Sequence, residues 1–280
     1  MPRLQLRVRA ASAEDALVLA DEQRSVLAGL RLQARGAPDG VPLALREARV
    51  KCAGGDVVLD LPASGPLLRW LCHKGDCDLP LRSLLSWHLG AEQRESLGRA
   101  GEVLRRLQIA PGEQVADVGA GPGFFTTRLA RAVGATGRVF AVEIDPDLVA
   151  ALRERAAEAP YPQVQAVLGA ADDPRLPPQS LDAVLIVDAY HEMPQHGRML
   201  EAIRGALRAG GRLLLVEPFA PAKKALPREQ QEREHVLDPE LARRDLIDAG
   251  FQVLELDQRF VELPEASHGE WLLLARRPRE

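Results

Sequence analysis

The stretch ADVGAGPGFFT, residues 116–126, decides the fold. Its glycines Gly119, Gly121 and Gly123 separate an apolar strand pattern from an amphipathic helix pattern. A glycine-rich turn between a strand and a helix lets the backbone approach a ligand, and its N–H groups can bind polar or anionic atoms. The spacing is not the dinucleotide-binding G-x-G-x-x-G, because the third position falls on the bulky Phe124. The stretch therefore predicts a ligand-binding loop of the form D-x-G-x-G-x-G.

A regular alternation of helix and strand patterns surrounds this loop from about residue 91 onward. Such alternation is typical of a parallel sheet with helices on both faces. No helix pattern separates the last two strands, so we expect them to form a hairpin that introduces one antiparallel strand. The prediction is an α/β, Rossmann-like, doubly wound fold with a seven-stranded, mostly parallel sheet. The seven strand patterns are 114–120, 137–144, 164–169, 181–190, 211–218, 251–260 and 269–276.

The first 90 residues have a different pattern and are predicted to form a small α+β appendage. A strand pattern at 4–10 is followed by a helix that Ser12 can cap. Two strand patterns on either side of residues 53–55 predict a hairpin, and two short helices follow. We therefore divide the chain into an appendage, residues 1–90, and a main domain, residues 91–280. The appendage is expected to cover the substrate or to mediate contacts of a homodimer.

The composition excludes several classes of protein. The 280 residues are 46% hydrophobic and 27% charged, with a formal net charge of −4, so no global cationic field would hold a nucleic acid. No apolar run reaches signal-peptide length or the roughly 20 residues of a membrane span. The sequence therefore predicts a cytoplasmic protein that binds neither nucleic acid nor membrane.

The three cysteines, Cys52, Cys72 and Cys77, are too few for a disulfide framework. Cys72, His73 and Cys77 have a spacing at the edge of that seen in zinc sites, and a second ligand pair is missing. Since structural zinc usually has four protein ligands, reduced thiols are the better interpretation.

The order of the motifs resembles that of class I S-adenosylmethionine-dependent methyltransferases. VADVGAGPGFFTTRLA (115–130) is similar to the first motif of that family. VFAVEIDP (139–146) ends a second strand with an acid, and LGAADDP (168–174) follows the third strand. LRAGGRLLLVEP (207–218) resembles the turn before the family's fifth strand. The resemblance covers residues 91–280 and implies S-adenosyl-L-methionine as the cofactor.

The resemblance also implies which residues bind the cofactor. Glu143 takes the place of a carboxylate that accepts hydrogen bonds from both ribose hydroxyls, since two acceptor oxygens suit a cis-diol. Either Asp172 or Asp173 faces the adenine amino group, and the other caps a turn. Asp117 either holds the glycine loop or lies near the methionine moiety. The full set of expected cofactor-binding residues is Asp117, Gly119, Ala120, Gly121, Gly123, Glu143, Ile144, Asp172, Asp173 and Asp188.

The stretch VDAYHEMPQH, residues 187–196, carries the residues expected to face the acceptor. Ligands of open α/β sheets bind outside the carboxyl ends of the strands, and Tyr190 and His191 follow such an end. A bacterial small-molecule subgroup of the family has a similar Tyr-His pair. His191, with an ordinary pKa of about 6.5, can accept a proton from the acceptor, and Tyr190 can orient it or lie against the cationic methyl group. Alternatively, His191 bonds a loop carbonyl and Tyr190 is a wall.

A zinc-protease motif is excluded in the same stretch. Its two histidines lie at i and i+4 on one helix face. His191 and His196 are five residues apart, and Pro194 opposes a continuous helix between them. We therefore predict no metal.

The polar, proline-containing segment 217–236 follows the fifth strand and can act as a lid. Glu217 and Phe219 are expected next to the acceptor pocket. His235 either folds back into this pocket or lies on the surface.

The leading hypothesis is a methyltransferase that acts on a small-molecule acceptor, with His191 and Tyr190 as catalytic residues. Methyl transfer from a sulfonium needs an acceptor in line with the S–CH3 bond, and the thioether leaves without help from an acid. Two alternatives are a protein methyltransferase that docks its substrate on the appendage, and a cofactor-binding protein without transfer activity.

Overall fold

A computed structural model describes residues 3–9, 20, 27, 47–53, 56–62, 91–158, 161–262 and 269–279 of the chain. The chain divides into two compact units, residues 1–98 and residues 99–280. Within the described residues, no helix is both long enough and apolar enough to cross a membrane.

The first unit contains a three-stranded antiparallel sheet. Its strands are β1 (Arg3–Arg9), β2 (Arg49–Ala53) and β3 (Asp56–Pro62), in the order β1-β3-β2. The predicted hairpin is confirmed, since β2 pairs with β3 in an antiparallel register from Arg49 opposite Asp60 to Ala53 opposite Asp56. Cys72, Cys77, most of the predicted first helix and both predicted short helices lie outside the described residues.

Helices and strands alternate from residue 91, as the sequence predicts. The helices are α1 (Ala91–Leu107), α2 (Phe124–Val133), α3 (Pro146–Glu158), α4 (His196–Ala206), α5 (Arg228–Arg233) and α6 (Pro239–Asp248). The strands are β4 (Gln114–Val118), β5 (Arg138–Glu143), β6 (Val164–Leu168), β7 (Leu181–Val187), β8 (Leu207–Phe219), β9 (Gln252–Glu262) and β10 (Gly269–Arg276).

The seven strands form one sheet in the order β6-β5-β4-β7-β8-β10-β9. The first five strands in this order pair in parallel, and β10 pairs antiparallel with both β8 and β9. This confirms the predicted seven-stranded sheet with one antiparallel strand near the C-terminus. The strand order reverses between β4 and β7, and a ligand crevice in such sheets opens at this switch point.

Helices cover both faces of this sheet, and β7 shows how one strand serves both. Val184 and Ile186 face the apolar cluster that includes α4 and α6, whereas Ala183 and Leu185 face the cluster that includes α1 and α2. Successive strand residues point to opposite faces, so a fully apolar strand fits only a sheet covered on both sides. Trp271 on β10 is fully buried. Burial of each large side chain contributes roughly 1.5–3 kcal/mol.

Two strand ends differ from the sequence prediction, one at the carboxyl edge of the sheet and one at the amino edge. β7 ends at Val187 because Asp188 takes a left-handed backbone conformation with φ 53°, although its N–H still donates to the Val216 carbonyl (2.8 Å). β8 begins at Leu207, four residues before the predicted strand at 211, and its register against β7 shifts between Leu181 and Ala183.

Candidate active site

The glycine loop after β4 adopts conformations that favour glycine. Gly119, Gly121 and Gly123 have φ of 76°, 51° and 88°. A Cβ built on Gly119 would overlap the Cβ of Ala189 in the segment after β7, whereas one built on Gly121 has no atom within 4 Å. The two loops on either side of the switch point therefore touch, and only glycine permits that contact at position 119.

Glu143, at the end of β5, ties the glycine loop to its own turn. Its Oε2 accepts the Gly121 N–H at 3.0 Å, and its Oε1 accepts the N–H groups of Ile144 at 2.7 Å and Asp145 at 3.3 Å. A carboxylate has about four acceptor sites, so these three bonds leave room for a further donor. Ile144 beside it is 60% exposed, an unusual position for a large apolar side chain and one that suits a flat ring of a ligand.

Asp117 is buried beneath the glycine loop. Its Oδ2 accepts the hydroxyl of Thr126 on α2 at 2.6 Å. Burial raises the pKa of Asp117 to about 6, although the Thr126 hydrogen bond opposes the shift, and the Glu143 charge adds to it. Asp117 thus links the strand end to the first turn of α2, which is close to the loop-holding role predicted for it.

A buried carboxylate organises the opposite side of the crevice. Glu217, near the end of β8, is fully buried. Its Oε1 accepts the N–H groups of Ala189 (2.8 Å) and Tyr190 (2.7 Å), and its Oε2 accepts that of His191 (3.4 Å). These bonds satisfy the backbone of a 3-10 turn, Tyr190–Glu192, and so fix the segment after β7 against β8.

His191 is held through its ring as well as its backbone. Its Nδ1 lies 2.6 Å from Glu217 Oε2, and only 4% of the residue is exposed. Because a carboxylate accepts hydrogen bonds, the bond assigns the proton of the neutral ring to Nδ1 and leaves a lone pair on Nε2. Burial lowers the pKa of His191, but the Glu217 hydrogen bond and the charges of Glu217, Asp188 and Glu192 outweigh it, so the pKa is raised.

Tyr190 is directed into the protein. Its side chain is fully buried, and its hydroxyl donates to Asp245 on α6 at 2.8 Å. Arg228 on α5 also binds Asp245 (2.7 Å). Burial, followed by the charge of Asp245, raises the pKa of Tyr190. The hydroxyl therefore joins the segment after β7 to α6. This fits the alternative in which Tyr190 is a wall of the site better than the one in which it contacts the acceptor.

The two aspartates after β6 have different partners. The Asp173 side chain accepts the Arg175 N–H at 2.7 Å across Pro174, which makes it the turn-capping residue. Asp172 Oδ2 lies 3.3 Å from the Arg198 guanidinium on α4. Asp173 is therefore the residue that caps this turn, and Asp172 pairs with α4.

His235 approaches His191 from the segment after β8. Its Nδ1 lies 3.3 Å from His191 Nε2, while 72% of its side chain is exposed. Both alternatives that the sequence allowed for His235 therefore hold in part. The residue folds back towards the carboxyl edge of the sheet, and its side chain also lies at the surface.

The known proteins to which this chain is similar include several methyltransferases. Residues 115–211 match the family described as "Methyltransferase domain". An uncharacterized methyltransferase of Mycobacterium tuberculosis is 35% identical over 145 residues, which are 52% of this chain and 54% of that protein. The demethylmenaquinone methyltransferase of Oceanobacillus iheyensis is 24% identical over 120 residues, 43% and 50% of the two chains. The chain therefore spans about half the length of these relatives.

The fold agrees with the family match. A crystal structure of an S-adenosylmethionine-dependent methyltransferase from Aquifex aeolicus superposes with a TM-score of 0.56 and 22% identity, covering 68% of this chain and 95% of that one. The C-terminal unit has the fold of a class I methyltransferase, and residues 115–211 within it match the methyltransferase domain family. The matched residues include the glycine loop at the switch point of the sheet.

The residues at the carboxyl edge of the methyltransferase domain fit S-adenosylmethionine, the cofactor of this family. Gly121 has open space where a side chain would lie, and the acceptor capacity left on Glu143 suits a ribose hydroxyl. Ile144 offers an exposed apolar surface next to that carboxylate. When bound, the cofactor supplies an electrophilic methyl group.

Two residues of this domain were not singled out from the sequence. Asp245 on α6 and Arg228 on α5 anchor Tyr190. Asp245, which is 55 positions from Tyr190 in the chain, accepts the tyrosine hydroxyl directly, and Arg228, which is 38 positions away, binds Asp245. No motif marks them, because a partly buried ion pair next to a tyrosine is recognised only when its helices pack together. Glu217 was expected near the pocket, but its bonds to three backbone N–H groups were not foreseen.

Proposed function

We propose that this protein transfers the methyl group of S-adenosylmethionine to a small-molecule acceptor at the carboxyl edge between β4 and β7. The observation that carries the proposal is the contact between Gly119 and Ala189. It joins a loop suited to the cofactor with a segment whose groups suit an acceptor. Alignment of two bound reactants across such a contact can supply much of the rate acceleration.

The cofactor side uses Glu143 for the ribose and the glycine loop for the remainder of the cofactor. The further cofactor contacts that we propose are those from the sequence, Asp117, Ala120, Ile144, Asp172 and Asp188. Asp173 is left out because its carboxylate caps the turn at Arg175.

The acceptor side uses His191. Glu217 fixes the ring and its tautomer, so the Nε2 lone pair is aimed away from the Glu217 carboxylate. This lone pair is the group that the segment offers to an acceptor. Orientation of an imidazole by a buried carboxylate is the arrangement that positions histidines in many catalytic sites.

Tyr190 has a positioning role in this proposal. Its hydroxyl is committed to Asp245, and the Arg228 guanidinium lies 5.9 Å from its ring centre. Tyr190 therefore fixes the segment that carries His191, which replaces the direct acceptor contact expected from the sequence.

A small-molecule acceptor is supported by the name of one relative, a demethylmenaquinone methyltransferase, and by the net charge of −4. Residues 1–90 remain proposed as a cover for the acceptor or as a dimer contact. Size measurement in solution tests the second role.

Calorimetry with S-adenosylmethionine and, separately, with NAD tests the cofactor. We expect binding of the first only, and binding of NAD alone contradicts the proposal. Incubation with methyl-labelled cofactor and a metabolite extract then tests transfer. Label in a small molecule supports the proposal, label in added protein favours the docking alternative, and binding without transfer favours a non-catalytic protein.

His191→Gln tests the acceptor side, with His196→Gln as the matched control. His196 lies on α4 with its Nε2 3.7 Å from Asp245. We expect His191→Gln to lower turnover more than about 100-fold with cofactor affinity nearly unchanged, as for loss of a catalytic group. The control should retain activity. Loss of cofactor binding in His191→Gln would contradict the division into two sides.

A further inference from the structure

Three potential metal ligands converge beyond the end of β7. His191 Nε2 and His235 Nδ1 are 3.3 Å apart, and Glu192 Oε1 lies 3.9 Å from the first and 3.6 Å from the second. Ligand atoms at about 2.0–2.1 Å from one tetrahedral ion are about 3.4 Å from each other. The three atoms are therefore spaced as ligands around one cation, before any adjustment of their side chains.

His191 is prepared to act as a ligand. Metal-bound histidines almost always donate the other ring N–H to a carboxylate or carbonyl, which fixes the ring and raises the basicity of the ligating nitrogen. The bond between Nδ1 and the buried Glu217 carboxylate (2.6 Å) provides that support and leaves the Nε2 lone pair for an ion. The carboxylates of Asp188, Glu192 and Glu217 act on this ring and give the surroundings a negative potential.

His235 occupies a position where glycine is usual. It follows α5 in a left-handed conformation with φ 52°, its N–H donates to the Glu232 carbonyl (3.0 Å), and the Val236 N–H donates to the Gln231 carbonyl (3.1 Å). This is the hydrogen-bond pattern of a Schellman motif, in which a Cβ at the left-handed residue costs stability. A histidine there gives up stability, and its imidazole is directed at His191.

The segment that carries His235 is fixed on both sides. The Leu237 N–H donates to the Pro218 carbonyl (3.0 Å), and the Trp271 indole N–H donates to the Leu237 carbonyl (2.7 Å). The Gln231 side chain accepts the Asp238 N–H (2.7 Å). Although His235 is largely exposed, its backbone is therefore attached to β8 and β10, and its approach to His191 does not depend on the imidazole contact alone.

A second group of possible ligands, Asp188, His191 and Glu217, lies next to the first. The Glu217 oxygens already accept three backbone N–H groups and the His191 ring. This group is therefore explained by hydrogen bonds within the protein, and Glu217 supports the ligands without being one.

We propose that His191, Glu192 and His235 bind a divalent transition-metal ion at the acceptor edge. Two imidazoles and one carboxylate suit zinc, iron, cobalt or nickel better than magnesium or calcium, which prefer oxygen. Three protein ligands leave a position open for another group. The inference rests on the proposed function for its role: the ion would hold an oxygen or sulfur acceptor and lower its pKa. The His191 lone pair then serves the metal, and the metal contacts the acceptor.

A metal at these three residues is contrary to the sequence prediction that the protein binds no metal. That prediction weighed His191 with His196, and Cys72 with His73 and Cys77. The ligand set found here includes His235, which is 44 positions from His191 in sequence, so no local spacing could show it.

The test uses full-length protein without a histidine tag, freed of metal by a chelator. Co2+ is titrated and followed by its visible absorption, and Zn2+ is titrated by calorimetry. We expect one ion to bind per chain. His235→Gly and Glu192→Gln should each lower the metal affinity more than about 10-fold, because loss of a residue that only supports a metal ligand already has an effect of that size. His235→Gly suits the left-handed position, so its fold should be retained. His196→Ala is the control and should bind as the wild type does.

Absence of saturable binding to the wild type would overturn the proposal. So would binding that survives His235→Gly, and cobalt–thiolate absorption bands would then locate the ion at cysteine. Calorimetry of the metal-free protein with S-adenosylmethionine keeps the two proposals apart. If the cofactor binds and no metal does, the metal inference fails and the cofactor site stands.

Discussion

The cofactor side and the acceptor side of the proposed site are built by different means. The cofactor side is made largely of backbone: three glycines with positive φ and a carboxylate that binds N–H groups within 22 positions of itself. The acceptor side is made of side chains that come from the segment after β7, from β8, from α6 and from the segment after α5, across separations of 26 to 55 positions. A glycine loop tolerates few substitutions at single positions. In a network of side chains, the stability lost through one substitution is limited because the other contacts remain.

The largest effect is expected at Gly119. Gly119→Ala places a Cβ inside the Ala189 side chain and on a backbone with φ 76°, so cofactor affinity should fall more than about 100-fold and the protein should lose several kcal/mol of stability, about as for other overpacked and strained positions. Calorimetry and denaturant unfolding measure both. Gly121→Ala, with φ 51° and open space, should cost only about 1–2 kcal/mol.

A second substitution shows whether the contact is the cause. In the double variant Gly119→Ala, Ala189→Gly the overlapping Cβ is removed, and part of the stability and affinity should return. If the double variant is as impaired as Gly119→Ala, the backbone conformation alone is responsible, and the two sides are less closely joined than we infer.

The next effect is expected at Glu217. Glu217→Gln turns part of a buried acceptor into a donor facing backbone N–H groups, which should cost about 2–4 kcal/mol. Turnover should fall because His191 loses its orientation, while the dissociation constant of the cofactor changes less than about 3-fold. A matched loss of cofactor affinity would show that the two sides are one cooperative unit. Chemical denaturation and calorimetry on the same preparation separate these results.

Asp117 provides a pH-dependent effect on the cofactor side. Its pKa is about 6 in the folded protein and near 3.9 when unfolded, so between these values the folded state binds more protons. The free energy of unfolding should therefore fall as pH rises through this window. Asp117→Asn, which can still accept the Thr126 hydroxyl, should raise stability by about 1–3 kcal/mol at pH 7.5 and change it little at pH 4.

The pH dependence of the free energy of unfolding is also measured for Thr126→Val. This substitution removes the hydrogen bond that lowers the pKa of Asp117. The pH range over which the free energy of unfolding falls should therefore extend to higher pH. Equal gains from Asp117→Asn at both pH values would mean that ionisation of this carboxyl is not what costs stability.

The smallest effect is expected at Tyr190. Tyr190→Phe removes a hydrogen bond to Asp245 and should cost about 1 kcal/mol, with turnover within about 3-fold of the wild type. Thermal unfolding and labelled methyl transfer measure the two quantities. A 100-fold loss of turnover with unchanged stability would return the Tyr190 hydroxyl to the acceptor, as the sequence first suggested.

Much of the fold could be predicted because its signals are local. Apolar strand runs, amphipathic helices and the missing helix between β9 and β10 are sufficient for a mostly parallel sheet with one antiparallel strand. Strand ends were less accurate, since the left-handed turn at Asp188 depends on the backbone bond to Val216 on the neighbouring strand. Which of Asp172 and Asp173 caps the turn also required the structure, because either residue can do so in a sequence of this kind.

The sequence by itself determined the glycine loop, the acid at the end of β5 and the place of His191 just beyond the end of β7. Each of these depends on residues close together in the chain, whose conformational preferences act before the protein folds. Only the tertiary structure decided that Tyr190 points to Asp245, that Glu217 holds His191, and that His235 Nδ1 lies 3.3 Å from His191 Nε2. Those contacts join distant segments, and they exist only once the packing of the sheet and helices has set the distances between side chains.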